Sequence, residues 1–229
     1  MTTSSLLLLV ADGRFPAGAH AHSGGLEAAV AAGRVTDLAT LEAFLAGRLA
    51  TAGLVGAAFA AAAHRAVTSG SAVRGSTLAL LDAELDARTA APALRTVSRR
   101  QGRALLRAGR AIWPEASFDD LPATPGGAHQ PLVLGLLCAA AGLSRAETAT
   151  VAVHGTVTGA ASAAVRLLGL DPYRVQALLV GLAGRCDGTA AAAARAADDP
   201  PERLPAAAAP LADIHAEAHA TWEVRLFAS

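Results

Sequence analysis

The segment from Leu54 to Val67 reads LVGAAFAAAAHRAV, and alanine is its commonest residue. Such a run forms helix readily yet carries almost no side-chain bulk, so neighbouring helices can come close to its backbone. A helix that thin suits close helix-on-helix packing. The rest of the sequence agrees. It is 53% apolar but only 3% aromatic, and isoleucine occurs only at Ile112 and Ile214. The expected fold is therefore all-α, a single compact domain of about ten helices, and 229 residues suffice for a sizeable core.

Periodicity and capping signals divide the chain further. Leu6 to Ala11 reads as a short helix or strand. The stretch Asp12 to Ala32, DGRFPAGAHAHSGGLEAAVAA, joins a Pro/Gly turn to the start of a helix that Ser23 is placed to cap. Thr36 or Asp37 then caps a helix carrying Leu38, Leu41, Phe44, Leu45 and Leu49, and Gly53 and Gly56 interrupt it before the alanine-rich segment. After a loop at 69–75, a helix from about Thr77 to Arg88 has Leu78, Leu81 and Leu85 on its apolar face and Asp82, Glu84 and Asp86 on the others. Pro92 opens the next helix, with Arg95, Arg99, Arg103 and Arg107 in an i+4 series. That series reads either as a docking strip for an acidic partner or as a solvated face paired with the preceding acidic helix.

Trp113-Pro114 ends this element, and Phe118 to His129 is a loop. Leu132 to Ala141 is a core helix, and Ser144 with Glu147 forms a capping box ahead of a long uncharged segment. TATVAVHGTVTG within it alternates like a strand, but its length and alanine content favour helix, in which Gly155 and Gly159 would admit a close neighbour. Asp171-Pro172 caps another helix. The domain core is thus expected over 1–197, a proline-rich linker over 198–210, and a C-terminal helix (Leu211 to Val224) with a partner-binding tail over 211–229 of the same domain.

Several function classes are excluded. Nineteen arginines balance nineteen acidic residues and lysine is absent, so nothing electrostatic favours nucleic acid. Cys138 and Cys186 lie far apart without a Cys-x-x-Cys motif, which suits a reducing cytoplasm. The short apolar run Leu6–Val10 lacks a basic flank and is broken by Asp12, so no signal peptide is expected. The uncharged segment Thr148 to Val165 holds His154 and five Thr or Ser and reads as a buried helix rather than a membrane span.

Candidate chemistry centres on histidine. His20 and His22 flank one residue and would serve as joint metal ligands only in an extended or loop backbone, with Asp12 or Glu27 as further ligands. His215 and His219 stand at i, i+4, but H-A-E-A-H is not a metalloprotease motif and reads as a shared surface face. His154 reads as a hydrogen-bonded core histidine, and Ser23 beside His22 lacks an acid to make a nucleophile pair. No phosphate loop, dinucleotide fingerprint or nucleophile elbow occurs.

Four patterns in order along the chain resemble the urease accessory protein F family: Phe15, Pro16, Gly18, Ala19, His20, His22, Ser23, Gly25, Leu26 and Glu27, followed by Ala29, Gly33 and Val35; Ser98, Arg99, Gly102, Leu105 and Leu106; Ser162 to Leu167; and His219, Thr221, Arg225, Leu226, Phe227 and Ser229. His20 and His22 stand where the family usually has an aromatic pair, Gly24 where a polar residue is usual, and Ala228 where arginine is common. The resemblance implies an all-α homodimer that takes part in nickel insertion into urease. It implies a non-enzymatic adaptor that binds accessory protein D/H, recruits the GTPase accessory protein G and meets apo-urease. Nickel and GTP would then act through the partners, with no cofactor bound directly. Partner contacts are expected at Phe15, Pro16, His20, His22, Ser23, Gly25, Glu27, His219, Arg225, Leu226 and Phe227. The tail (Arg225, Leu226, Phe227) is expected to be an exposed apolar segment that orders on binding D/H. The rival reading is a metal-binding hydrolase or nickel metallochaperone using His20, His22, His215 and His219.

Overall fold

The computed structural model describes residues 5–70 and 73–228. Ser229, which closes the terminal pattern, and part of the 69–75 loop lie outside them. The described residues form helices and turns with no strand: α1 (Ser5–Ala11), α2 (Leu26–Ala31), α3 (Leu38–Arg48), α4 (Leu54–Thr68), α5 (Arg74–Arg88), α6 (Pro92–Ile112), α7 (Gln130–Ala140), α8 (Arg145–Leu168), α9 (Pro172–Ala196) and α10 (Pro210–Ala220).

The alanine-rich α4 is the hub, packed against α5, α7, α8 and α9. Ala57, Ala58, Phe59, Ala60, Ala61 and Ala63 along it are wholly buried. The α7 crossing is close. A Cβ on Gly135 would collide with the Ala60 carbonyl and stand 2.8 Å from the His64 amide nitrogen and 2.9 Å from the Ala63 methyl. Only glycine on α7 facing alanine on α4 permits that separation.

Capping explains most boundaries. The Asp37 carboxylate accepts from Thr40 N–H at 2.9 Å and the Thr40 hydroxyl oxygen accepts from Asp37 N–H at 3.0 Å. Ser144 and Glu147 form the expected box at α8, and Asp171 accepts from Tyr173 N–H at α9. The segment TATVAVHGTVTG lies wholly inside α8.

Four expectations are corrected. Gly53 and Gly56 do not interrupt the chain between α3 and α4. A π turn, Leu49–Gly53, carries the helix through, and Gly53 keeps right-handed helical geometry with its missing Cβ space only 3.0 Å from the Arg48 carbonyl oxygen. Gly155 and Gly159 admit no neighbour, since nothing stands within 4 Å of the side chain either would carry. His154 is not a core residue. It lies exposed on the wall of an apolar groove of about 780 Å³ between α8 and α9, with Val153, Val157, Val175 and Leu179. The proline-rich stretch after α9 is not a free linker, because Leu204 is buried in the core and Arg88 donates to the carbonyls of Glu202 (3.0 Å) and Leu204 (3.3 Å).

Two stretches, Leu38–Thr68 and Arg145–Leu168, are long and apolar enough to cross a bilayer by length and composition. Here they pack on each other and on α9 inside the bundle.

The glycines differ in consequence. Gly135→Ala should destabilise the protein by at least about 1–3 kcal/mol through overpacking. Gly155→Ala, on an exposed helix face, should be neutral or stabilising by up to about 1 kcal/mol. Urea unfolding of both variants checks the contrast, and a large loss at Gly155 would place a close neighbour there after all.

Candidate partner-binding site

The opening turn and the C-terminal tail, nearly the whole chain apart in sequence, meet at one buried carboxylate. Glu27 sits in the first turn of α2, where its own amide donates to the Ser23 hydroxyl at 3.2 Å. Ser23 therefore does cap α2, but from two residues before the glycine at its boundary, since Gly25 (φ 87°) and Gly24 (φ 62°) turn the chain into the helix. Gly24 has a second reason to lack a side chain: a Cβ there would stand 2.8 Å from a guanidinium nitrogen of Arg48, which donates to the Gly24 carbonyl.

The Glu27 carboxylate uses both oxygens. Oε1 accepts from Leu226 N–H at 2.8 Å, and Oε2 accepts from Phe227 N–H at 3.0 Å and from His219 Nε2–H at 2.9 Å. Burial opposes its ionisation, but the Leu226 amide, the His219 ring and the Phe227 amide outweigh burial and hold the carboxyl below its ordinary range. Ala228 N–H donates to the Ala21 carbonyl at 2.7 Å. On α8, Arg166 donates to the His20 carbonyl at 3.1 Å and lays its guanidinium 4.3 Å from the Phe227 ring centre.

The tail is thus docked rather than free. Phe227 is only 4% exposed, which overturns the expectation of exposure at that residue, while Leu226 is exposed as expected. His219 is 3% exposed and tilted against Trp222, so the surface face expected for His215 and His219 is also overturned. Burying a phenylalanine contributes about 1.5–3 kcal/mol, and each hydrogen bond to a charged group about 1.5–3 kcal/mol. Ordering the backbone of the tail costs about 1–2 kcal/mol per residue, so gain and cost are of similar size and docking hinges on the Glu27 charge.

The expected contact residues separate accordingly. Ser23, Glu27, His219 and Phe227 are interior and shape the site. Pro16, His20, Arg225 and Leu226 are exposed, with Leu226 at 73%, while Phe15, His22 and Gly25 are half-buried. Burial lowers the His22 proton affinity, and the Arg100 charge lowers it further. Asp12 is engaged by Arg14 at 2.8 Å. Among the described residues no three His, Cys, Asp or Glu side chains gather where a metal ion would sit, so His20, His22, His215 and His219 do not form one cluster.

A second polar cluster was missed by sequence reasoning. Asp82, expected on an outer face of α5, is buried. Its carboxylate accepts from Arg99 at 2.9 Å and from the His129 amide at 3.0 Å. Arg99 also reaches Asp86 at 2.9 Å and the Gly127 carbonyl at 2.6 Å. For Arg99, pairing with the acidic α5 is therefore the outcome of the two readings given to the arginine series. His129 is fully buried, and burial lowers its proton affinity. The neutral ring donates from Nε2 to Asp86 (2.8 Å) and accepts at Nδ1 from the Ser98 hydroxyl (2.9 Å). Serine, histidine and aspartate in a chain have the composition of a nucleophilic triad. Here the imidazole has no exposed surface and the serine oxygen already accepts from Gln130 N–H, so the cluster clamps the 118–129 loop. Gly102 belongs to the same clamp, because any Cβ there would collide with the Ala128 carbonyl. The pattern Ser98, Arg99, Gly102 was the available signal. Arg166 lay likewise inside the Ser162–Leu167 pattern.

Comparison with known proteins follows from this geometry. The UreF family profile matches residues 35–183, well over half of the chain. The chain is 47% identical to the urease accessory protein UreF of Mycobacterium sp. (strain JLS) and 44% identical to that of Mycolicibacterium vanbaalenii, over 100% of both chains in each case. It is 47% identical over 189 residues to the protein of the same name from Mycobacterium tuberculosis, covering 82% of this chain and 83% of that one.

Replacing Glu27 tests the site. Its native carboxyl lies below the ordinary value of 4.5, so its stabilisation is complete above that value and is lost as pH falls through the lower native one. Glu27→Gln should cost about 1.5–3 kcal/mol at pH 7 and progressively less under acid. Urea unfolding of both proteins across pH 3–7 measures this, and a pH-independent difference would contradict it.

Proposed function

The chain belongs to the UreF family of urease accessory proteins, and from that premise we propose that it is a non-enzymatic adaptor in urease maturation. It binds accessory protein D/H, recruits and regulates the GTPase accessory protein G, and meets apo-urease, acting as a homodimer in the cytoplasm. Nickel and GTP act through these partners.

One observation carries the reading: the two ends of the chain are locked into a single surface by Glu27. A leucine held 73% exposed beside a buried phenylalanine anchor is a preformed contact, whose ordering cost is already met within the protein. Arg225 and Leu226 supply the tail contacts, and His20, tied through Arg166 to the Phe227 ring, borders them. The rival metal-binding reading finds less support, because among the described residues no three of its histidines gather at one place and His219 is committed through Nε2 to the buried Glu27.

Leu226→Asp is the discriminating variant, since that side chain lies outside the core. It should weaken capture of accessory protein D/H tenfold or more, about 1.4 kcal/mol, with unchanged circular dichroism and melting temperature. Unchanged affinity would refute the assignment of the tail as the D/H contact. Failure of the wild-type protein to bind D/H or G, with all three folded, would refute the adaptor itself.

A further inference from the structure

α6 carries six of the nineteen arginines within Pro92–Ile112 and neither aspartate nor glutamate. Its buried side is formed by Gly102, Leu105, Ala108 and Gly109. Two of the arginines face neighbouring elements: Arg99 is held by Asp82 and Asp86, and Arg95 by the carbonyls of Thr89 and Ala90. Arg100, Arg103 and Arg107 are exposed, and their i, i+3, i+7 spacing aligns them on the solvent side. Among the described residues no carboxylate pairs with any of the three. Like charges one turn apart repel, so an unanswered row of this kind weakens the isolated protein.

We propose that Arg100, Arg103 and Arg107 form a docking row for an acidic segment of a protein partner. The row is partly preorganised. Arg103 donates to the Gly126 carbonyl, and its stem packs where a Gly127 Cβ would lie 2.8 Å from Cγ. It spans eight residues of helix, about 10 Å from first to last, the reach of a few carboxylates on one face of a helix or strand. Carboxylates bound it at both ends. Glu217 of α10 caps the start of α6 through Ala93 N–H at 2.7 Å, and Asp119 meets Arg110 at 3.2 Å near its end. A continuous phosphate backbone or an anionic bilayer would run into those charges, whereas a short acidic peptide fits between them. The zero net charge of the chain points the same way. The inference goes beyond the adaptor reading and does not rest on it, because the probe below is a peptide and not an accessory protein.

The test is fluorescence anisotropy on the full-length protein with a labelled helical peptide bearing glutamates at i, i+3, i+7 spacing. A labelled DNA duplex and phosphatidylserine vesicles serve as the competing occupants. Binding of the peptide should weaken as salt is raised, fall at least tenfold in the Arg100→Glu/Arg107→Glu double variant, and stay unchanged in Arg174→Glu, an exposed arginine on α9. Arg100→Gln/Arg107→Gln is the milder pair should charge reversal prevent folding. Arg107→Gln alone should melt no lower than the wild type. Absence of peptide binding at low salt, equal binding by the double variant, tighter binding of DNA or vesicles, or a lower melting temperature for Arg107→Gln would each overturn the proposal.

Discussion

The approach of α7 to α4 at Gly135 and Ala60 sets the geometry of the bundle. With the His64 amide 2.8 Å from where a Cβ would stand, neither helix can rotate or slide without opening a void or a clash. α4 reaches α8 and α9 as well as α7, so fixing one pair fixes the frame on which the others lie. This frame is built from backbone proximity and small side chains, which is how a chain with only 3% aromatic residues still closes a core.

Upon that frame two buried polar clusters hold the irregular parts of the molecule. Glu27 binds the tail to the opening turn, and Asp82 with Arg99 and His129 binds the 118–129 loop to α5 and α6. Each satisfies backbone amides that have no helical partner, which the interior requires of any loop laid across it. The four patterns that resemble the UreF family fall largely on these two clusters. They mark where non-helical chain is fastened to the bundle.

Much of this was legible in the sequence where the signal is local. The alanine run, Pro92, the Asp37 cap, the Ser144–Glu147 box and Asp171 each act within a few residues, and each marks the boundary where it was expected. The errors arose where the deciding partner is remote. Asp82 looked like an outer acid because its partner amide, at His129, is 47 residues away. His219 and Phe227 looked exposed because Glu27 is about 200 residues away. Gly53 and Gly155 were misread and Gly135 passed unnoticed, since whether a glycine breaks a helix, admits a neighbour or faces open space depends on what crosses it. Gly53, Gly135 and Gly155 are alike in sequence and unlike in place.

The junction at Glu27 also bears on the order in which the protein is made. Its carboxylate is synthesised early and buried, yet its partners at positions 219, 226 and 227 leave the ribosome some 200 residues later. At translation speeds of about 5–20 residues per second, that interval lasts on the order of ten seconds or more. Until it ends, the Glu27 carboxylate lacks the two amides and the imidazole that hold it in the folded protein. The junction is therefore a ring closure that waits for the tail, and the opening turn is made well before it can become native.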